Sequence, residues 1–484
     1  MTNDGEPNVN YVSTRGEAPV LAFDDVLLAG LARDGGLYVP EAWPQFSAAE
    51  ISAWKDLSYV ELAIRVITPF VGGAIAAADL RRIITDAYGH FDAPDVAPLK
   101  DLGGGEYLLE LFHGPTLAFK DVAMQFLGPL FDHVLAERGQ RVCIAGATSG
   151  DTGSAAIEAC RGRGNLDIFI LYPHGRVSDV QRRQMTTVAA ANVHTIALQG
   201  TFDDCQDAVK ALFNDMAFRD RMNLSAVNSI NWARIVAQIV YYFWAALKVG
   251  GPETKVNFAV PTGNFGNVFA GYAAHRMGLP VGQFIVGSNA NDILARFFES
   301  GAMEIDQVIP TISPSMDIQV SSNFERLLFE LYGRDGARVA RVLTGFRETG
   351  GFAVDADVLD EARQLFVGGR FTDDQTRTLI DAHFAASGEQ LDPHTAVGLA
   401  AGRALRRDTS LPLIALATAH PAKFPDAVEA ATGERPDLPA PMKDLFERDE
   451  RINVLPNDVA AVRAFIEGHA APAGDTRTSG GAAA

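Results

Sequence analysis

The sequence predicts an α/β protein built on parallel sheet. Six short apolar runs are spaced along it: RVCIAG (141–146), LDIFILYP (166–173), NVHTIALQG (192–200), KVNFAVP (255–261), QFIVGSN (283–289) and LPLIALAT (411–418). Helix-like segments follow most of them, and strands alternating with helices argue for parallel strands covered on both faces. The segments richest in glycine and hydroxyl residues, ATSGDTG (147–153) and TGNFGN (262–267), sit where strands should end. That is where such sheets bind ligands.

The rest of the chain fits around this core. Residues 1–95 mix a short extended start, YVSTRG, with helices; FDDVLLAGLA (23–32) has helical apolar spacing and the glycines and proline of DGGLYVP (34–40) stop it. A helix after Lys120 should carry Val122, Phe126, Leu127, Leu130 and Phe131 on one face, with Pro129 as a kink. IVAQIVYYFWAAL (235–247) is the longest apolar stretch, too short to span a bilayer, and reads as a buried core helix. Residues 350–408 look mainly helical, and the small, polar end APAGDTRTSGGAAA predicts disorder.

Composition narrows the function. The 484 residues are 48% hydrophobic and 21% charged, enough for a large core and more than one domain. A formal net charge of −19 argues against nucleic acid or an anionic membrane as the main partner. A small anion remains accessible to such a chain through local backbone N–H groups. The three cysteines, Cys143, Cys160 and Cys205, have neither zinc-ligand spacing nor the pairing of a disulfide framework, so no metal is expected. They suit a reducing cytoplasm, and the polar, acidic N-terminus lacks the pattern of a signal peptide.

Four segments carry chemistry. In HGPTLAFKD (113–121), Lys120 stands at a junction of loop and helix near apolar surface. A lysine there can lose solvation, lower its pKa and act as a Schiff-base amine; taken alone, it is more often a surface residue with a buried stem. TGNFGN lacks the GK[ST] of a Walker loop, but its glycines allow close approach and a following helix start would offer free N–H groups to a phosphate. ATSGDTG clusters Thr148, Ser149, Asp151 and Thr152 at another helix start, suited to a carboxylate or simply to capping. In LATAHPAKF (416–424), Thr418 ends a strand with a hydroxyl, and His420 and Lys423 follow.

Together these segments resemble the threonine synthase family in its longer bacterial and fungal form, a branch of the fold-type II pyridoxal-phosphate enzymes. YVSTRG (11–16), LARDGGLYVPE (31–41), FHGPTLAFKD (112–121), LYPHGRVSDVQRRQMTT (171–187), VNSINWARIVAQIVYYF (227–243), PTGNFGN (261–267), SSNFERLLFE (321–330) and ATAHPAKF (417–424) are similar to family segments, in family order, over about residues 10 to 455. The resemblance implies two open twisted sheets flanked by helices plus an extra N-terminal domain. It also implies a division into residues 1–95, a catalytic core at 96–350 with a smaller subdomain at about 125–245, and a part at 351–460 completing the large domain; composition makes 461–484 an expected disordered tail.

It implies that Lys120 carries pyridoxal 5'-phosphate as a Schiff base, that Gly263, Asn264, Phe265, Gly266 and Asn267 bind the cofactor phosphate, and that Thr418 meets the pyridine nitrogen. Thr148, Ser149, Asp151 and Thr152 would take the substrate carboxylate. Asp151 stands where cysteine synthase usually has asparagine, which favours threonine synthase and leaves its own role open. The implied reaction turns O-phospho-L-homoserine and water into L-threonine and phosphate. Ser322, Asn323, Arg326, Arg234 and Lys423 are candidates for the substrate phosphate. The alternatives are a phospho-lyase giving 2-oxobutyrate from the same substrate and a non-catalytic phosphate-binding homologue. A cytoplasmic monomer or homodimer is expected.

Overall fold

Apolar β-branched runs and amphipathic helices sort this chain into two compact units in the computed structural model, which describes residues 9–226 and 229–471. One unit comprises Met1–Phe119 and Ser229–Asp437, the other Lys120–Asn228 and Leu438–Ala484.

The larger unit is organised by a six-stranded sheet. Its order is Phe366–Arg370, Val281–Ser288, Val256–Pro261, Leu413–Ala417, Glu106–Glu110 and Leu99–Gly103. All neighbours are parallel except the last pair, which is a hairpin. Val256–Pro261 and Leu413–Ala417 are buried along their whole length, as central strands covered on both faces must be. Leu108, Ala259, Ile285, Leu399, Leu413 and Ala415 share one hydrophobic cluster there. The helix Trp232–Lys248 is buried from Trp232 to Leu247, matching the core helix read from the sequence.

The N-terminal segment of this unit starts with a two-stranded antiparallel pairing of Tyr11–Ser13 with Tyr38–Pro40. Its two longer helices, Tyr59–Val71 and Ala77–Tyr88, bury one side each. What fixes the YVSTRG turn is a buried ion pair. Arg15 Nε and Nη2 each lie 3.0 Å from the Glu325 carboxylate, and the Thr14 hydroxyl donates to the same group at 2.6 Å. A bidentate pair of this kind gives geometric specificity as well as energy. Two segments picked out separately in the sequence, YVSTRG and SSNFERLLFE, are thus one structural device.

The smaller unit holds a five-stranded, all-parallel sheet in the order Asn453–Pro456, Val193–Gln199, Leu166–Pro173, Val142–Ala147, Leu224–Ser225. Phe169, Leu171, Ile196, Leu198, Cys205 and Phe218 form its core together with Val462 and Ile466.

The six predicted strands are all present. Three expectations need correction. Residues 351–460 do not all complete the larger unit: from Leu438 the chain belongs to the smaller one, where Asn453–Pro456 pairs with Val193–Gln199. The expected disordered tail does not begin at 461, because Val459–His469 is a helix whose Val462 and Ile466, four residues apart, are buried; the remainder of that expectation, from 472, lies outside the described residues. The helix Lys120–Arg138 is buried at every position from Asp121 to Phe131 rather than on one face, the signature of a helix inside the protein.

Candidate active site

Three loops of the larger unit leave the carboxyl ends of three neighbouring strands. Pairing of Ala415 with Ala259 and of Ala417 with Glu110 aligns the ends of Val256–Pro261, Leu413–Ala417 and Glu106–Glu110. Adjacent strands lie about 5 Å apart. TGNFGN, the Thr418 loop and the loop running to Phe119 therefore start side by side. This is the strand-end position at which open α/β sheets take ligands.

The first loop is shaped as an anion cradle. Phe265 is left-handed (φ +61°) and precedes the helix Gly266–Arg276 with no side-chain cap. None of the backbone N–H groups from Gly263 to Asn267 donates to a protein atom among the described residues. A helix start with free N–H groups is an anion site without needing a cation. Gly263 is required sterically, since a Cβ there would lie 3.0 Å from the Met316 backbone and 3.2 Å from Ile318.

Side chains hold the loop from behind. The Ser321 hydroxyl donates to the Gly263 carbonyl at 2.8 Å, and the Ser322 N–H donates to Asn264 Oδ1 at 2.8 Å. Asn264 Nδ2 reaches the Ser229 hydroxyl. Asn323 Nδ2 donates to the Asn264 carbonyl at 3.1 Å and to the Ser229 carbonyl at 3.2 Å. Arg326, fully buried, donates from Nε to the Tyr38 carbonyl, from Nη2 to the Ile230 carbonyl and from Nη1 to Asn323 Oδ1. Asn267 Oδ1 accepts from the hydroxyls of Tyr241 and Tyr242 at 2.6 and 2.9 Å.

Asn323 and Arg326 were read from the sequence as candidates for a substrate phosphate. The structure commits the Asn323 amide to bracing this loop and the Arg326 guanidinium to holding Asn323 and the Tyr38 and Ile230 carbonyls, and Ser322 contributes its backbone while remaining exposed. Lys423 is also withdrawn from that role, being fully buried with Nζ 2.6 Å from the Thr116 carbonyl. Arg234 stands apart. It is almost wholly buried, yet its Nε and Nη1 find no acceptor among the described residues. Burial pulls its pKa down to about 10, which leaves it charged at neutral pH. The next residue, Ile235, is 3.6 Å from where a Cβ on Gly266 would be, so the first turn of the helix that carries Arg234 packs against the cradle.

Thr418 follows the central strand directly. Its N–H donates to Thr395 Oγ1 at 3.2 Å, and Thr395 in turn donates to the buried Asp392. The Thr418 hydroxyl makes no hydrogen bond among the described residues. His420, two residues on, is pushed down to about 4 by burial and then by the nearby His113. It is neutral at neutral pH, and because Nδ1 accepts from the Ala422 N–H at 3.1 Å, its proton sits on Nε2.

Lys120 opens the helix Lys120–Arg138 in the smaller unit. Its Nζ lies 3.3 Å from Asp151 Oδ2, and Gln181 Nε2 donates to Asp151 Oδ1 at 2.9 Å. The pair is nearly buried, with 11% and 5% of the two side chains exposed. Gly150 (φ +145°) lets the chain turn into the helix Asp151–Cys160 hard against Gln181, whose amide would be 2.4 Å from any added Cβ. Gln181 was not singled out from the sequence; only its place in LYPHGRVSDVQRRQMTT could have pointed to it. Thr148, expected at a carboxylate, serves as a cap, accepting from the N–H groups of Gly150 and Gly153 at 3.0 and 2.9 Å. Ser149 is exposed and Thr152 half-buried.

The donors of the larger unit fit the phosphate and ring nitrogen of pyridoxal phosphate, an N–H cradle and a threonine hydroxyl one strand away that have no partner among the described residues; in the smaller unit a lysine is held by a carboxylate. Residues 92–344 match the family model described as pyridoxal-phosphate dependent enzyme, and residues 10–88 and 395–466 match those described as threonine synthase N terminus and threonine synthase, C-terminal. The threonine synthase of Pseudomonas aeruginosa is 59% identical over 462 residues, spanning 95% of this chain and 98% of that one. The chain belongs to the threonine synthase family.

The threonine synthase of Saccharomyces cerevisiae is 41% identical, across 95% of this chain and 98% of its own. Among solved structures, PLP-bound threonine synthase from Brucella melitensis superposes with a TM-score of 0.94 at 56% identity, covering 96% of this chain and 99% of that one. The yeast threonine synthase structure gives 0.91 at 40% identity, with 95% and 98% covered. The protein is thus a pyridoxal-phosphate-dependent enzyme of fold type II with the additional N-terminal segment of threonine synthases. Among the described residues, no helix is long and apolar enough to cross a membrane, and no three His, Cys, Asp or Glu side chains gather as a metal site.

Proposed function

We propose that this threonine synthase family member converts O-phospho-L-homoserine and water to L-threonine and phosphate, with Lys120 as the cofactor-bearing lysine. The observation that carries the reading is the alignment of three strand ends, which starts the N–H cradle, Thr418 and the loop leading into Lys120 side by side. When bound, pyridoxal phosphate supplies the electron sink that makes the substrate α and β carbons acidic.

The chain's own residues do the rest. Gly263 to Asn267 hold the cofactor phosphate through backbone N–H groups. Thr418 offers a neutral hydroxyl to the pyridine nitrogen, which holds no positive charge there and so moderates the sink. The Lys120 amine would hold the cofactor and, when free of it, would move protons at the substrate α and β carbons. Asp151, its other oxygen held by Gln181, keeps that amine in place through Oδ2. Ser149 and Thr152, at the start of a helix, suit the substrate carboxylate. Arg234 supplies the unspent cationic donors for an anion beside the cradle. Phosphate leaves from the γ carbon, which takes up a proton to become the methyl group; water adds at the β carbon and the α carbon regains its proton.

The test is product identification with O-phospho-L-homoserine as the sole substrate. Threonine and inorganic phosphate are expected in equal amounts. Phosphate released with 2-oxobutyrate and ammonia, and no threonine, would replace this reading with that of a phospho-lyase. Cytoplasmic location and a monomeric or homodimeric state complete the proposal.

A further inference from the structure

The loop that leads to Lys120 is under backbone strain. Leu117 is left-handed (φ +61°), a conformation that a branched residue adopts only when its surroundings enforce it. What enforces it is the Thr418 loop. The Leu111 N–H donates to the Ala417 carbonyl at 3.0 Å, Phe119 to the Thr418 carbonyl at 2.8 Å, and His420 back to the Leu117 carbonyl at 3.0 Å, around an antiparallel bridge of Ala118 with Ala419. The two loops form a small ladder of their own beyond the sheet.

One side chain closes this ladder. Lys423 stands in the short turn Pro421–Lys423, is fully buried, and aims Nζ at the carbonyl of Thr116, 2.6 Å away. Thr116 is itself fully buried, adjacent to the strained Leu117 and four residues ahead of Lys120. A charged donor to a carbonyl is among the stronger hydrogen bonds a protein makes. We infer that Lys423 is a positioning residue: by tying the Thr116 carbonyl to the turn after Thr418, it holds the loop that ends at Phe119, just ahead of Lys120, in register with the Thr418 loop. Methionine would fill much the same volume with no donor, so it separates this role from space-filling.

The inference rests on the proposed function for its kinetic readout only. Wild-type enzyme, K423M and K423R are compared with O-phospho-L-homoserine, by visible-region circular dichroism of the bound cofactor, and by amide exchange of the cofactor-free proteins. In K423M, kcat falls about 100-fold, the scale of an ångström of misplacement, with KM within about threefold. The cofactor's dichroic band weakens, and the amides of Leu117, Phe119 and His420 exchange faster while those of the sheet do not. K423R recovers part of each. Wild-type kcat, band and exchange in K423M would overturn the inference, as would a rise in KM alone. Should K423M not fold, K423Q is measured in its place, and unchanged exchange at the three amides overturns the inference there as well. If the wild-type enzyme does not turn over this substrate, the proposed function fails, while the dichroism and exchange still decide the role of Lys423.

Discussion

Replacing Lys120 by alanine is expected to abolish threonine formation while leaving the cofactor bound. The amine is assigned two tasks, attachment of the cofactor and proton transfer at the α and β carbons. A positioned acid–base group alone contributes about 10²- to 10⁴-fold, so a loss of about 10⁴-fold or more in kcat is expected. Cofactor retention follows from the fold: the N–H groups of Gly263 to Asn267 are presented by backbone and braced by Ser321, Asn323 and Asn264, none of which the substitution touches. The spectrum should change from that of a lysine adduct to that of the free aldehyde. Activity within about tenfold of wild type would remove Lys120 from the mechanism, since even a single proton-transfer role contributes more than that.

The second large effect is expected at Arg234. Its Nε and Nη1 are buried without acceptors among the described residues, which is costly in a protein that binds nothing there. Hydrogen bonds to charged groups contribute about 1.5–3 kcal/mol each, so losing two of them in R234M should lower kcat/KM by about 10²- to 10⁴-fold. The same substitution should leave the ligand-free protein as stable or more stable, because a desolvated guanidinium is exchanged for an apolar side chain of similar reach. Kinetics together with a melting curve of the ligand-free protein check both halves. Unchanged kcat/KM with a lowered Tm would make Arg234 a structural residue.

The parallel sheets were legible because their strands are apolar on both faces and stop at loops. KVNFAVP and LPLIALAT became the central strands Val256–Pro261 and Leu413–Ala417. The edge strand Phe366–Arg370 escaped because FVGGR carries two glycines and lies between helices. Asn453–Pro456 escaped because an edge strand ending in proline has little strand character. The cradle could be read from its glycines and the helix that follows.

The polar residues around the cradle were harder. Asn323 and Arg326 look like ligands in a sequence, since composition shows a donor but not which way it points; burial turned Asn323 toward the backbone of the loop and Arg326 toward the Tyr38 and Ile230 carbonyls and Asn323 itself. Thr148 shows the capping role that its place at a helix start also allowed. The Arg15–Glu325 pair joins residues 310 positions apart, and no local pattern announces such a contact. Gln181 was hidden for the same reason, its partner Asp151 lying 30 positions away.

The most direct test of the account is the site of covalent attachment. The protein isolated with pyridoxal phosphate is reduced with borohydride, digested and mapped by mass. The pyridoxyl label is expected on Lys120, in the peptide spanning FHGPTLAFKD. A label on another lysine, or a protein that binds the cofactor and is not labelled at all, would contradict it.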